Sequence, residues 1–428
     1  MGDIGLPWGT LGPESLGGHR RVRTLGLGAA IRAYNQAAVP GTGGLWYCKQ
    51  LVLAALGIRL AAEKHTRNIR MANTIEALAC LLGASEDGRP DARLLGRRKL
   101  AGCSPDASYK KVSSPSFYVT QPMRMGMAQP LISLGFAVGH GGSSRFNALE
   151  LTEIGHILLD KALSGYRPFH TTVERHLSMW ISGEITKNNT SALRGALSPL
   201  VPLGSLEIGM LVEQLNKGEG AERRRAAMAW VRNPRRSIDW AVRPAELTEN
   251  HWNDLDAGAR FFALRTAALE CLDAVEEQMA KREIYTLDFQ DAVSYESVAA
   301  LLNEVKEKAE HVIALKQATP GALDAIEFAE VLARGTSTQT MSFLVERDGR
   351  VLVSGASGIR RGSAFEFAVR GAPLEPQEDD PDRDATATIE LPIGISGRMR
   401  NLALLCMDID GKLDAWIRGT TNTDPVPR

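Results

Sequence analysis

Ser116–Leu163, SFYVTQPMRMGMAQPLISLGFAVGHGGSSRFNALELTEIGHILLDKAL, is the stretch from which the rest of the chain is read. Pro122 follows Thr120 where a helix can start, because a proline in the first turn gives up an N–H that has no partner there anyway. Met123, Met127, Leu131 and Leu134 then fall four, four and three apart, the spacing of one helix face. Pro130 lies inside the same run and should kink or end it, so the predicted helix is short or bent. Leu134-Gly135 closes it. A strand at Phe136–Val138, a glycine-rich tip at Gly139–Arg145, a second strand near Phe146 and a helix opening at Leu151-Thr152-Glu153 complete the pattern.

That succession looks like the second half of a winged-helix domain, in which a helix enters a DNA groove and the hairpin beside it touches the backbone. Asn73 is read as the cap of a helix through Leu82, with Ile75, Leu78, Ala79 and Leu82 on one face, and RLLGRRKL (93–100) as a short basic helix. These would be the first two helices of the domain. Arg93, Arg97, Arg98, Lys99, Lys110, Lys111, Arg124 and Arg145 are the candidates for phosphate contact, which gives position and salt-sensitive affinity but no sequence information. A later basic helix, AERRRAAMAWVRNPRR, adds Arg223, Arg224, Arg235 and Arg236. The plainer readings are that the methionine stripe is a core helix and the arginine run a solvated face. The run joins an interface only if it shares a face with Arg97, Arg98 and Lys111.

Upstream, the cluster His19–Arg23 precedes a helix over Leu25–Ala38 and another over Leu45–Ala62. The turn between them, PGTGG from Pro40, could cradle an anion but lacks the Gly-Lys-Ser/Thr ending of a P-loop; a tight interhelical turn explains it more simply. The succession LGLGAAIRAYNQAAVPGTGGLWYCKQLVLAALGIRLAAE, NTIEALACLL and LLGRRKL, then a Ser/Pro/aromatic segment and GM…LISLGF, resembles an uncharacterised bacterial family whose genes sit among phage-defence genes. The likeness covers about the first third of the chain. It implies a bacterial, defence-associated setting and brings no assigned catalytic residues.

Downstream, Pro244 marks a change of character. Thr248 caps a long amphipathic helix carrying Phe261, Leu264, Leu272 and Met279, a second spans about Ser294–Gln317, and Thr319-Pro320 starts a third, which together suggest a helical hairpin or bundle. MSFLVERDGRVLVSG and NLALLCMDIDGKLDAWIRG each read as two strands joined through Asp-Gly, at Asp348-Gly349 and Asp410-Gly411. SAFEFAVRG and TATIELP are further strand candidates, with the acidic loop EPQEDDPDRD between them expected to be mobile. The fold class expected is α+β, mainly α. The expected divisions are 1–70 (helical lead-in), 71–164 (winged-helix-like), 165–244 (basic helical), 245–335 (acidic helical bundle) and 336–428 (β-hairpin-containing).

The formal net charge is zero, but residues 1–245 hold 31 Lys and Arg against 18 Asp and Glu, and residues 246–428 hold 19 against 32. Such a chain offers a basic surface to a polyanion and an acidic one to something else, unless the two sets neutralise each other internally. Five scattered cysteines without a CxxC suggest reduced thiols in a cytoplasmic protein, and no histidine pattern suggests a metal site. No apolar run is long enough to span a bilayer, and the leading residues lack the layout of a secretory signal.

GASG at Gly355 falls short of a nucleophile elbow, and the SxxK of Ser108 and Lys111 lacks its companion motifs. Glu304-Val305-Lys306 lies within helical periodicity. No catalytic residue, cofactor or metal is therefore assigned. The leading expectation is a DNA-binding, non-catalytic subunit that contacts duplex DNA through its basic part and other subunits through its acidic C-terminal half. The alternatives are a protein-binding scaffold and, third, a nuclease or nucleotide-dependent enzyme without a recognisable motif.

Overall fold

The computed structural model describes residues 23–87, 91–315, 319–356, 358–365 and 389–419. The chain is α+β and mainly α, with eighteen α-helices and five short strands among the described residues. In chain order they are α1 (Gly28–Ala38), α2 (Lys49–Glu63), α3 (Asn68–Asp87), α4 (Arg97–Leu100), α5 (Tyr109–Val112), α6 (Ala128–Ser133), β1 (Ala137–Gly139), β2 (Leu149–Leu151), α7 (Glu153–Ser164), α8 (Val173–Ile181), α9 (Ser191–Leu197), α10 (Ser205–Leu215) and α11 (Ala221–Arg232). After these come α12 (Glu249–Lys281), β3 (Thr286–Leu287), α13 (Phe289–Ser294), α14 (Glu296–Ile313), α15 (Leu323–Arg334), α16 (Ser337–Asp348), β4 (Leu352–Gly355), β5 (Gly358–Arg361), α17 (Gly397–Ile409) and α18 (Leu413–Ile417). Two compact units emerge, one of Met1–Arg32 with Arg260–Glu375 and the other of Ala33–Ala259 with Pro376–Arg428. Two of the three cuts fall inside α1 and α12. No helix among the described residues is long and apolar enough to cross a membrane.

In the larger unit, α2 and α3 pack against each other at the centre. Leu51, Val52, Leu56 and Ile58 of α2 and Ile75, Leu78 and Leu82 of α3 are all buried. Gly57 makes the approach close: a Cβ there would lie 2.5 Å from the Ala72 Cα. The expected helix cap at Asn73 is corrected, since α3 begins at Asn68 and Asn73 is internal. The start is held by distant residues instead. Asn68 Nδ2 donates to the carbonyls of Phe146 (3.0 Å) and Leu149 (2.8 Å), while Asn147 Oδ1 accepts from the Ile69 N–H (2.9 Å), satisfying one of the orphan donors of a helix start.

NLALLCMDIDGKLDAWIRG is also corrected, from a hairpin to α17 and α18. Asp-Gly supplies the left-handed residue needed by hairpin turns and helix C-termini alike. Gly411, at φ 69°, follows the end of α17, and Met399, Leu402, Leu405 and Cys406 are buried at helical spacing. α17 packs on α11. Its Asp408 accepts from the Cys48 N–H (2.7 Å) and Asp410, just beyond its end, pairs with Arg232 (2.9 Å), while Asp414 of α18 pairs with Arg93 (2.6 Å). Asp410 and Asp414 therefore neutralise arginines of the basic part of the sequence and Asp408 anchors its backbone, while Asp410-Gly411 forms the turn that ends a helix rather than one that joins two strands.

In the smaller unit, α14 and α15 pack on each other as the expected helical hairpin, but α15 begins at Leu323, and Thr319-Pro320 forms a turn before it rather than its start. The first half of MSFLVERDGRVLVSG is helix α16 rather than a strand, opened by a capping box of Thr336 and Gln339 and followed by Gly349 at φ 57°. Its second half is β4, which pairs antiparallel with β5 through the Gly355–Gly358 connection, and β3 lies on the other side of β5. Buried Arg23, the last residue of the His19–Arg23 cluster and the one of them that is described, pairs with Asp348 (3.0 Å), Glu276 (2.8 Å) and Asp273. The loop EPQEDDPDRD, SAFEFAVRG beyond Phe365 and TATIELP before Ile389 lie outside the described residues.

Candidate nucleic-acid interface

The helix, hairpin and helix expected from Ser116–Leu163 are present, but the second strand is Leu149–Leu151, and Phe146–Ala148, where the sequence predicts it, is a 3₁₀ turn. Pro122 precedes a 3₁₀ turn at Met123–Gly126, and α6 follows as six residues with Pro130 near its start, so the helix is short. Met127, Leu131 and Leu134 are buried, which makes the stripe core. Gly135, at φ 77°, reverses the chain into β1, which pairs with β2 in the register Ala137–Leu151, Val138–Glu150 and Gly139–Leu149. Thr152 Oγ1 accepts from the Gly155 N–H (3.2 Å), capping α7, and donates to the Gly135 carbonyl (2.6 Å), tying both ends of the hairpin together. The tip stands in solvent: Cβ atoms at Gly141 and Gly142 would meet nothing within 4 Å, and Val138 is 54% exposed.

α6 itself is less open than a groove-reading helix requires. The turn Pro40–Gly44 lies against it, with a Cβ at Gly43 falling 2.7 Å from the Pro130 ring and the Gly44 N–H donating to the Gly126 carbonyl (3.1 Å). The Gly41 N–H is used by Gln36 (3.2 Å). The glycine-rich turn is thus a close-packing device.

Glu76 of α3 holds the 3₁₀ turn in place. Its buried carboxylate accepts from the N–H groups of Met123 (2.7 Å) and Arg124 (3.1 Å) and from the Tyr118 hydroxyl (2.9 Å). Burial pushes the carboxyl up to about 7 despite those donors. Nothing in the sequence around Glu76 marks this role, since the bonds bridge more than forty positions.

The twelve cations named from the sequence separate into distinct groups. Arg93 is 3% exposed and bound to Asp91 and Asp414. Arg224 is fully buried, donating to the carbonyls of Leu215 (2.8 Å), Glu219 (2.8 Å), Pro40 (3.1 Å) and Lys217 at the end of α10. Arg223 pairs with Asp254 (2.7 Å) and the Ala37 carbonyl, and Arg236 donates to the Glu390 carbonyl (2.9 Å). These four hold the fold. Arg235 is exposed at the far end of the α11 segment.

The other seven surround α3, on which α4, α5, the 3₁₀ turn and the residues Phe146–Ala148 all pack. Arg97, Arg98 and Lys99 lie toward its C-terminal half, where Leu94 meets Gly83 and Lys99 Nζ donates to the Tyr118 carbonyl (2.7 Å). Lys110, Lys111, Arg124 and Arg145 lie toward its N-terminal half, where Arg70 reaches Ser113, Asn73 holds Arg124 and Asn68 binds the Phe146 carbonyl. Two exposed arginines missing from the sequence-derived set join them. Arg67 immediately precedes α3, and Arg70 reaches Ser113 (3.2 Å) next to the end of α5. Among the described residues Arg67, Arg70, Lys110, Lys111 and Arg145 have no ion-pair partner. A helical face alternating with a distant four-residue helix is invisible to local sequence patterns, although the density of Lys and Arg at 64–70 was a signal.

Arg124 and Arg145 line an open groove of about 480 Å³. Its lining joins apolar Ile69, Ala128, Phe146 and the 52%-exposed Met125 to polar Arg124, Arg145 and Asn147. Arg124 is fixed by Asn73 and sits 5.8 Å over the Phe146 ring. All five cysteines are unpaired, and no group of three or more His, Cys, Asp or Glu able to hold a metal is found among the described residues. No family model matches the chain, and neither a curated protein nor a solved structure matches it.

Proposed function

We propose that this protein is a non-catalytic, DNA-binding subunit of a bacterial antiphage system, acting in the cytoplasm and contacting duplex DNA through the N-terminal end of α3, α5 and the base of the β1–β2 hairpin. The observation that carries the reading is the set Arg67, Arg70, Lys110, Lys111 and Arg145, exposed around one end of one helix with no acid paired to any of them. Guanidinium and ammonium groups so placed exchange condensed counterions for phosphates, which predicts binding that weakens steeply with salt. The antiphage setting rests on the family resemblance in the first third of the chain.

The test is fluorescence anisotropy of a labelled duplex with the full chain at rising salt. Binding is expected at low salt, and Lys110→Glu with Lys111→Glu and Arg145→Glu lowers it on the order of tenfold or more and flattens the salt dependence. Absence of duplex binding at low salt, or binding unaffected by the three reversals, sinks the proposal.

A second reading, an adaptor that never touches nucleic acid, is favoured by the internal use of Arg93, Arg223, Arg224 and Arg236. Co-elution with neighbouring gene products that survives nuclease treatment, together with no duplex binding, would select it.

A further inference from the structure

The groove between the 3₁₀ turn and the hairpin base is more than a phosphate surface requires. Phosphates are held by cations and N–H donors and gain nothing from an apolar floor. Here Met125 is half exposed in a groove that also holds Arg124 and Arg145, together with Ala128 and Phe146, and Arg124, bonded to Asn73, has its guanidinium carbon 5.8 Å from the Phe146 ring centroid. The volume of about 480 Å³ falls within the roughly 300–1,000 Å³ of small-ligand pockets.

Apolar and guanidinium surfaces next to phosphate-binding groups suit an unstacked nucleobase, which offers two apolar faces, a polar edge and an attached anion. Asn147 completes the match. Its Oδ1 is taken by the Ile69 N–H, which leaves its Nδ2 as a donor at the rim, and Arg145 stands where the attached phosphate would lie.

The geometry points to this groove as a site for one unpaired base, so that the protein favours DNA with a single-stranded end or junction over a blunt duplex. This inference rests on the DNA-binding proposal and adds to it the class of DNA end that is recognised. Met125 and Ala128 contact the base face, Asn147 its edge and Arg145 the adjoining phosphate; Arg67, Arg70, Lys110 and Lys111 follow the duplex portion.

The experiment compares three labelled duplexes of equal length by anisotropy with the full chain: blunt, carrying a short single-stranded overhang, and carrying the same overhang with abasic sites. The overhang with bases is expected to bind several-fold tighter than either of the others. Met125→Lys adds a cation and leaves blunt-duplex affinity equal or higher while abolishing the advantage of the bases; Met125→Ala reduces that advantage without altering blunt binding. Met125 is exposed enough for both variants to fold, which their melting curves verify. Equal affinity for the abasic and base-containing overhangs, or an advantage untouched in both variants, overturns the inference while leaving duplex binding in place. Failure of all three DNAs to bind overturns the DNA-binding proposal as well.

Discussion

The arginines of α11 and the cations around the start of α3 look alike as sequence, yet the molecule treats them in opposite ways. Arg224 sits with no exposure among backbone carbonyls at the end of α10, where the negative pole of that helix favours a cation. Arg223 and Arg232 meet aspartates from α12 and the end of α17. At α3, Arg70, Lys110, Lys111 and Arg145 face solvent without acids. Charge density alone therefore does not identify a polyanion surface. What distinguishes the two is whether the protein already supplies the counter-charge.

Arg224→Met should produce the largest effect, since it strips the partner from several buried carbonyls; a stability loss of about 3–5 kcal/mol in urea unfolding is expected. A loss below about 1 kcal/mol would group Arg224 with the solvent-facing cations and remove the contrast.

Glu76→Gln should cost about 1–3 kcal/mol, because the amide cannot accept from Met123, Arg124 and Tyr118 as the carboxylate does. Glu76 also carries a pH signature. With its folded value raised to about 7, its contribution is fully present below its ordinary value of 4.5 and is lost as pH rises through about 7. Melting temperatures of the parent should carry this decline between those limits, and the Gln variant should lack it; parallel curves would show that Glu76 is not the group responsible.

Charge reversal at Lys110, Lys111 and Arg145 should change stability by no more than about 0.5 kcal/mol, as expected for surface positions outside any network. A melting transition lowered well beyond that would mean these cations hold the fold as those of α11 do. A similarly small effect is expected for Asp410→Asn, which removes a partly exposed pair with Arg232 worth about 0–1 kcal/mol. A larger loss in calorimetry would make α17 depend on that pair more than on its buried Met399, Leu402 and Leu405.

Local chemistry was enough for much of the fold. Pro122, Gly135 and the Thr152 cap mark the ends of the elements around the hairpin, and Pro130 accounts for the brevity of α6. The two Asp-Gly pairs misled because a left-handed glycine ends a helix as readily as it turns a hairpin, and in α16 and α17 the flanking residues bury at helical spacing. Two of the cuts between compact units fall inside α1 and α12, where an uninterrupted helix offers no local punctuation.

Read alone, the amino-acid order determined the mainly helical class, the exposed hairpin after α6 and the pool of cations available to an anion. Only the tertiary structure decided which cations remain free, because ion pairs such as Arg93–Asp414 and carbonyl cages such as that of Arg224 join residues far apart in the chain. It also added Arg67 and Arg70 to the unpaired set and brought Arg124 and Arg145 to one groove with Met125 and Phe146. The physical reason is that local propensities act over a few residues, whereas desolvation and charge compensation depend on what the fold packs alongside.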